Sequence, residues 1–319
     1  RMFNRFSELR SLTLILPLLF LSDLFHAAGQ AGPVLIRDEP DYWSFEWPEM
    51  DAMDADVVKF HLTYDGDWNG QMPQHFVVPS IHVQGAIWAG AKDIIFRTAE
   101  THLEVNDINN FINGMTFWDT GKKLVDFIYN HRFEVHCWIE VGNEPDYSPV
   151  DPWVHRWRLL QVADHIMPNW TWLWTMHWIA SAPAQLGGYT DVFYAVTGEG
   201  SVQAKYEAIG THEYGDFNFN MAVTNRALGV LPAGKSIWVT EAGINHNFDW
   251  GEKGRRYRTA IQNSDPRVRG WTFFLLSRET YWNTCPNPDG TCLRYGIDID
   301  YVTQQPVPGR PCATELSLR

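Results

Sequence analysis

The chain has 319 residues, 45% hydrophobic and 20% charged, which suits one large domain with a sizeable core and excludes a disordered chain. Its net charge of −13, with no basic tract, is wrong for gripping a polyanion. Nucleic acid and anionic membrane are therefore set aside as partners, and neutral ligands remain.

At the N-terminus Arg1, Arg5 and Arg10 precede an apolar run from Leu12 to Leu21, and Ala27, Ala28, Gly29 and Ala31 follow. Basic, apolar and small residues in that order resemble a secretory signal, and the run is short for a transmembrane helix. Residues 1–31 read either as such a signal or as the region of a first strand, and 32–319 as one catalytic domain. A secreted or cell-surface protein without stable membrane insertion is expected.

Strand-like and helix-like segments then alternate, with no internal repeat, as in an α/β fold. A first strand is expected near 18–26 or near 34–36. Further strands are expected at 57–62, 94–98, 135–141, 173–181, 208–214, 237–240 and 271–276. These are continuous apolar runs, the pattern of parallel strands buried on both faces. Eight of them with helices between predict a closed (β/α)8 barrel in a single domain. An open doubly wound sheet would carry a glycine-rich phosphate loop after an early strand, and none is present.

Helices are expected where Leu124, Phe127 and Ile128 share a face behind Asp119 or Thr120, and after Asp151-Pro152, a cap followed by proline at the first helical position. In the latter, Trp153, Trp157 and Leu160 lie on one side. A third spans 254–262, with arginines on its exposed face. Cys137, in a very apolar segment, reads as an inert core thiol. Cys285 and Cys292 flank a loop-like stretch and read as a small disulfide or as two thiols.

Asp65, Asp67 and Asn69 match the first half of a calcium loop, but Phe76 stands where the bidentate glutamate belongs. The 12 His show no zinc spacing, and no nucleophile elbow is found, so no metal and no cofactor are expected.

Two segments carry the chemistry. Trp138-Ile139-Glu140-Val141-Gly142-Asn143-Glu144-Pro145 is an apolar strand ending in Asn-Glu-Pro. Ile237-Trp238-Val239-Thr240-Glu241-Ala242-Gly243 again ends in a carboxylate, three strand–helix steps later. Barrel enzymes hold their reactive groups at the C-terminal ends of strands. A pair of carboxylates at one rim suits glycosidic cleavage, where one must carry a proton and the other a charge. The 16 Trp fit that reading, because the flat C–H faces of sugars stack on indole rings.

This pattern resembles the clan A glycoside hydrolases, over roughly residues 57–280. The resemblance implies a retaining enzyme acting on a poly- or oligosaccharide, with Glu144 on the fourth strand as acid/base and Glu241 on the seventh as nucleophile. It implies that Asn143 meets a sugar hydroxyl and that Arg97 holds the nucleophile ionised, although the clan commonly has that arginine on strand two and Arg97 counts on strand three. His212 and Tyr214, two apart and so on one side of a strand, match the clan's His and Tyr. Trp178, Trp271 and Trp282 are candidate sugar platforms. The alternative is an inactive barrel that binds carbohydrate or serves as a structural surface protein.

Overall fold

Short apolar segments become parallel strands when they are buried on two faces, one against the barrel interior and one against helices. The computed structural model describes residues 30–35, 50–61, 63–65, 75–77, 80–98, 118–144, 152–180, 200–215, 221–244, 249–273 and 307–318. The strands are β1 (Gln30–Leu35), β2 (Val57–His61), β5 (Asp93–Arg97), β6 (His136–Val141), β7 (Met176–Ala180), β8 (Ala208–Gly215), β9 (Ser236–Ile244) and β10 (Val268–Phe273). They close in chain order, with β1 pairing in parallel to both β2 and β10. Between β2 and β5 a small antiparallel hairpin pairs β3 (Thr63–Asp65) with β4 (His75–Val77).

The first strand is Gln30–Leu35, overlapping the expected 34–36 segment and beginning before residue 32. The 18–26 segment, Cys285, Cys292, Asp67 and Asn69 lie outside the described residues, while Asp65 closes the short strand β3.

The outer shell holds helices α1 (Ser80–Trp88), α2 (Trp118–Asn130), α3 (Pro152–Gln161), α4 (Gly200–Lys205), α5 (Ala222–Val230), α6 (Trp250–Gln262) and α7 (Pro311–Leu316). No helix among the described residues is long and apolar enough to cross a membrane. Helix α3 does begin at Pro152, where a missing backbone N–H is harmless. Its Trp153 and Trp157 are exposed, so the tryptophan side faces outward, and Leu159 is buried instead. Helix α6 starts four residues before the expected Gly254, capped by Asp249, whose side chain accepts from the Glu252 N–H. Gly254 lies inside it because a Cβ there would stand 2.5 Å from the Cys312 carbonyl oxygen of α7. Cys137 is fully buried, and burial, then the charge of Asp93, pushes its thiol well above the usual range.

Alternation along the strands sorts the side chains into two cores. Val58, Phe60, Ile94, Phe96, Cys137, Ile139, Ile209 and Val239 face the helices. Val57, Ile95, Trp138, Ile179, Ala208 and Trp238 fill the barrel. This inner layer is an apolar plug with polar groups at both of its ends. At the N-terminal end Asp93 accepts from the Trp138 indole N–H at 2.6 Å and from Gln30 at 2.8 Å. Gly270 makes room for the plug, since a Cβ there would lie 2.5 Å from the Trp238 ring.

Candidate active site

Above the apolar plug, the same inward positions turn polar. One step up from Val57 comes Lys59, from Trp138 comes Glu140, and from Trp238 comes Thr240, each fully buried. Lys59 Nζ lies 2.7 Å from Glu140 Oε2, and Thr240 donates its hydroxyl to Glu140 Oε1 at 2.5 Å. Lys59 also donates to the Thr240 carbonyl at 3.1 Å and to Glu241 Oε1 at 3.0 Å.

The next step up is the rim. Strict alternation would turn Glu241 outward, since Thr240 already faces in. The register between β8 and β9 slips at this point: Thr211 pairs with Val239, but His212 pairs with Glu241. A bulge of this kind re-aims a side chain, and it gives the barrel both Thr240 and Glu241. Glu144 reaches the rim by a different route. After β6, Gly142 (φ 86°) and Glu144 (φ 37°) take left-handed backbone conformations. For a glutamate that conformation costs about 1–3 kcal/mol and is held by its surroundings. Here the Gly142 N–H donates to Thr98 Oγ1 at 2.9 Å, and Thr98 N donates back to the Glu140 carbonyl at 3.0 Å.

Around the two glutamates stand four expected residues. Arg97 donates one guanidinium nitrogen to Glu241 Oε1 at 2.7 Å and to Asn143 Oδ1 at 3.0 Å. It sits on the third barrel strand, as counted, while the second strand contributes Lys59. Tyr214 donates its hydroxyl to Glu241 Oε2 at 2.5 Å. His212 Nδ1 is 2.7 Å from Glu144 Oε1 and 3.6 Å from Glu241 Oε2. One oxygen of each glutamate and a ring nitrogen of His212 all lie within 4.8 Å of one another. Glu144 and Glu241 are both buried.

Burial by itself lowers the His212 pKa. The charge of Glu241 and the hydrogen bond and charge of Glu144 outweigh that, against a smaller opposing push from Lys59, and the net is above the ordinary 6.5. Glu144, His212 and Glu241 also have the spacing of metal ligands. However, Lys59 and Arg97 already hold Glu241 Oε1, so an ion there would meet two resident cations; the donor set fits an acid–base pair better.

The tryptophans divide differently from expectation. Trp178 is 6% exposed and packs in the helix-facing core, out of phase with the inward Ile179. Trp271 is 0% exposed in that same core, its ring stacked 6.4 Å from Phe273. Neither faces the mouth, so neither is a sugar platform. Trp282 lies outside the described residues. Lys59 and Glu140 were not anticipated from sequence. The available signal was a lone charge in the middle of an apolar strand, at an inward position, which burial forces to find a partner.

No family model matches the chain, and no curated protein sequence does. Its fold is similar to that of a family 39 glycoside hydrolase from the gut symbiont Bacteroides cellulosilyticus WH2, with a TM-score of 0.57 and 15% identity over 92% of this chain. The chain spans 64% of that enzyme's length. It is also similar to the endo-1,4-beta-mannanase from Rhizomucor miehei, with a TM-score of 0.54 and 14% identity, covering 92% of this chain and 93% of the other. A third similar structure is a GH30 endoxylanase from Clostridium papyrosolvens C71, with a TM-score of 0.50 and 12% identity, covering 91% and 71%. All three are clan A glycoside hydrolases with (β/α)8 barrels. At these identities the likeness is one of fold.

Proposed function

We propose that this chain is a retaining glycoside hydrolase that cleaves O-glycosidic bonds of a poly- or oligosaccharide. The observation that carries the reading is the closeness of the two carboxylates: one oxygen of Glu144 and one of Glu241 lie within 4.8 Å of each other. Retaining enzymes hold their carboxyl groups about 5–5.5 Å apart, whereas inverting ones keep about 6.5–9.5 Å to admit a water. The fold neighbours, glycoside hydrolases all, support the same class.

The roles follow from the partners. Glu241 is held ionised by Arg97 and Lys59 on one oxygen and by the Tyr214 hydroxyl on the other, which suits attack on an anomeric carbon. Glu144 has His212 as its near neighbour at 2.7 Å, close enough for a proton to pass between them. When that proton sits on Glu144, it is available to the departing glycosidic oxygen. The covalent bond to Glu241 then breaks as Glu144 takes a proton from the attacking water. Asn143, fixed by Arg97, is placed beside the acid/base to meet a sugar hydroxyl. The substrate is a neutral or weakly charged carbohydrate, in keeping with the net charge of −13.

The test is a screen of chromogenic glycosides and polysaccharides. Proton NMR of the first-formed product reports its anomeric configuration, and a 2-deoxy-2-fluoro glycoside of the best substrate serves as a trap. Retained configuration and a sugar-sized mass increase on the peptide holding Glu241 are expected. Inverted product, or a label elsewhere, overturns the mechanism. Binding of polysaccharide with no hydrolysis of any substrate points to the inactive, carbohydrate-binding barrel.

A further inference from the structure

We propose that the buried Lys59–Glu140 pair is a setting for the charge of Glu241, in which Lys59 is a positioning residue and Glu140 restrains it. The inference rests on the reading of Glu241 as nucleophile.

The geometry is unusual for a structural ion pair. Lys59 is fully buried and has three partners: Glu140 Oε2 at 2.7 Å, Glu241 Oε1 at 3.0 Å and the Thr240 carbonyl at 3.1 Å. One ammonium therefore bridges a carboxylate inside the barrel and the carboxylate at its mouth. Thr240 ties the two together, donating to Glu140 while its own carbonyl accepts from Lys59 and from the Thr272 hydroxyl. This pins the residue just before Glu241, at the bulge that aims it.

Charge counting gives the pair its purpose. Among the described residues, the charged and titratable groups facing Glu241 are Lys59 from β2, Arg97 from β5, Glu140 from β6 by way of Lys59, Glu144 beyond β6, and His212 and Tyr214 from β8. Two fixed cations face three carboxylates, with His212 able to supply a third cation. Lys59 and Arg97 both contact Glu241, and Glu140 shares Lys59 with it, while His212 lies between Glu144 and Glu241. Glu140 occupies part of the Lys59 charge and so keeps the field on Glu241 from being stronger than it is. A charge at 3 Å in a dry site moves a carboxylate by about 1–3 pH units.

The two residues thus act in opposite directions, and Glu140 acts through Lys59. Lys59→Met moves the Glu241 titration up by about one pH unit or more, Glu140→Gln moves it down, and Lys59→Arg restores it toward wild type. In the Lys59→Met background, Glu140→Gln loses most of its effect, which a double-mutant cycle reads directly. The titration is followed by the side-chain carboxyl 13C shift of Glu241 in the full chain, assigned by its loss in Glu241→Gln. The acid limb of the kcat/KM profile moves the same way. If both single variants move the titration in one direction or leave it in place, or if Glu140→Gln acts equally in both backgrounds, the proposal is overturned. Should Lys59→Met fail to fold, the downward shift expected of Glu140→Gln still decides it, with Lys59→Arg expected to stay near the wild type. Absence of hydrolysis by the wild type counts against the glycosidase reading alone, because the carboxyl titration is read without turnover.

Discussion

The two ends of the barrel interior are built from the same strands by the same alternation, yet they do opposite things with buried polar groups. At the N-terminal end a single carboxylate, Asp93, accepts from the Trp138 indole and the Gln30 amide, with the Arg269 guanidinium 4.0 Å away. The Arg269 guanidinium lies over the Trp138 ring at 4.5 Å, and His177 stacks on that ring at 4.6 Å. Hydrogen bonds, ring contacts and one cation there all serve a single carboxylate and favour one fixed arrangement. At the C-terminal end three carboxylates converge on Lys59, Arg97 and His212. The lesson is that a barrel separates stability from chemistry along its axis, with the Trp138–Trp238 layer as the divider.

The sharpest way to break this comparison is to disable the mouth and ask whether the fold notices. Glu144→Gln and Glu241→Gln are each expected to lower kcat/KM by about three or more orders of magnitude with little change in Tm. Full activity in either variant sinks the assignment, and a collapse in Tm sinks the separation. The converse is Asp93→Ala at the other end, which strands the Trp138 and Gln30 donors. It is expected to cost about 2–4 kcal/mol in a denaturant melt while leaving kcat/KM within a few-fold. Tyr214→Phe removes one hydrogen bond to an ionised oxygen and is expected to cost about 1.5–3 kcal/mol of transition-state stabilisation, with the fold again unmoved. Gly270→Ala presses a methyl group into the Trp238 ring and is expected to cost about 1–3 kcal/mol of stability only.

The smallest effect is a pH dependence. His212 is raised above its ordinary 6.5, so the folded chain binds its proton more tightly than the unfolded one. The resulting stabilisation is fully present below pH 6.5 and is lost as pH rises through the raised value. Unfolding free energy measured across that window should fall with pH in the wild type and fall less in His212→Asn. An equal slope in both would assign the pH dependence to other groups.

Much of the strand order was readable, because a strand buried on both faces must be an apolar run and seven such runs lie close to where they were expected. Glu144 and Glu241 were readable for the same reason: a carboxylate ending such a run has no apolar neighbour to hide it. His212 and Tyr214 follow from the period of two along β8. The misassigned Trp178 and Trp271 show the limit of composition. An aromatic ring suits both a core and a sugar face, and which one it meets depends on the parity of its position around a closed barrel.

By itself, then, the sequence determined the alternation of strands and helices, the barrel class and the two carboxylates at strand ends, since these depend on local hydrophobic runs and their interruptions. Only the tertiary structure decided which strand positions point inward. It placed the bulge at Thr240 that turns Glu241 to the mouth, and it joined Lys59 to Glu140 and Glu241. Those features depend on closure: a lysine on the second barrel strand and a glutamate on the seventh meet only when eight strands curl until the first pairs with the last.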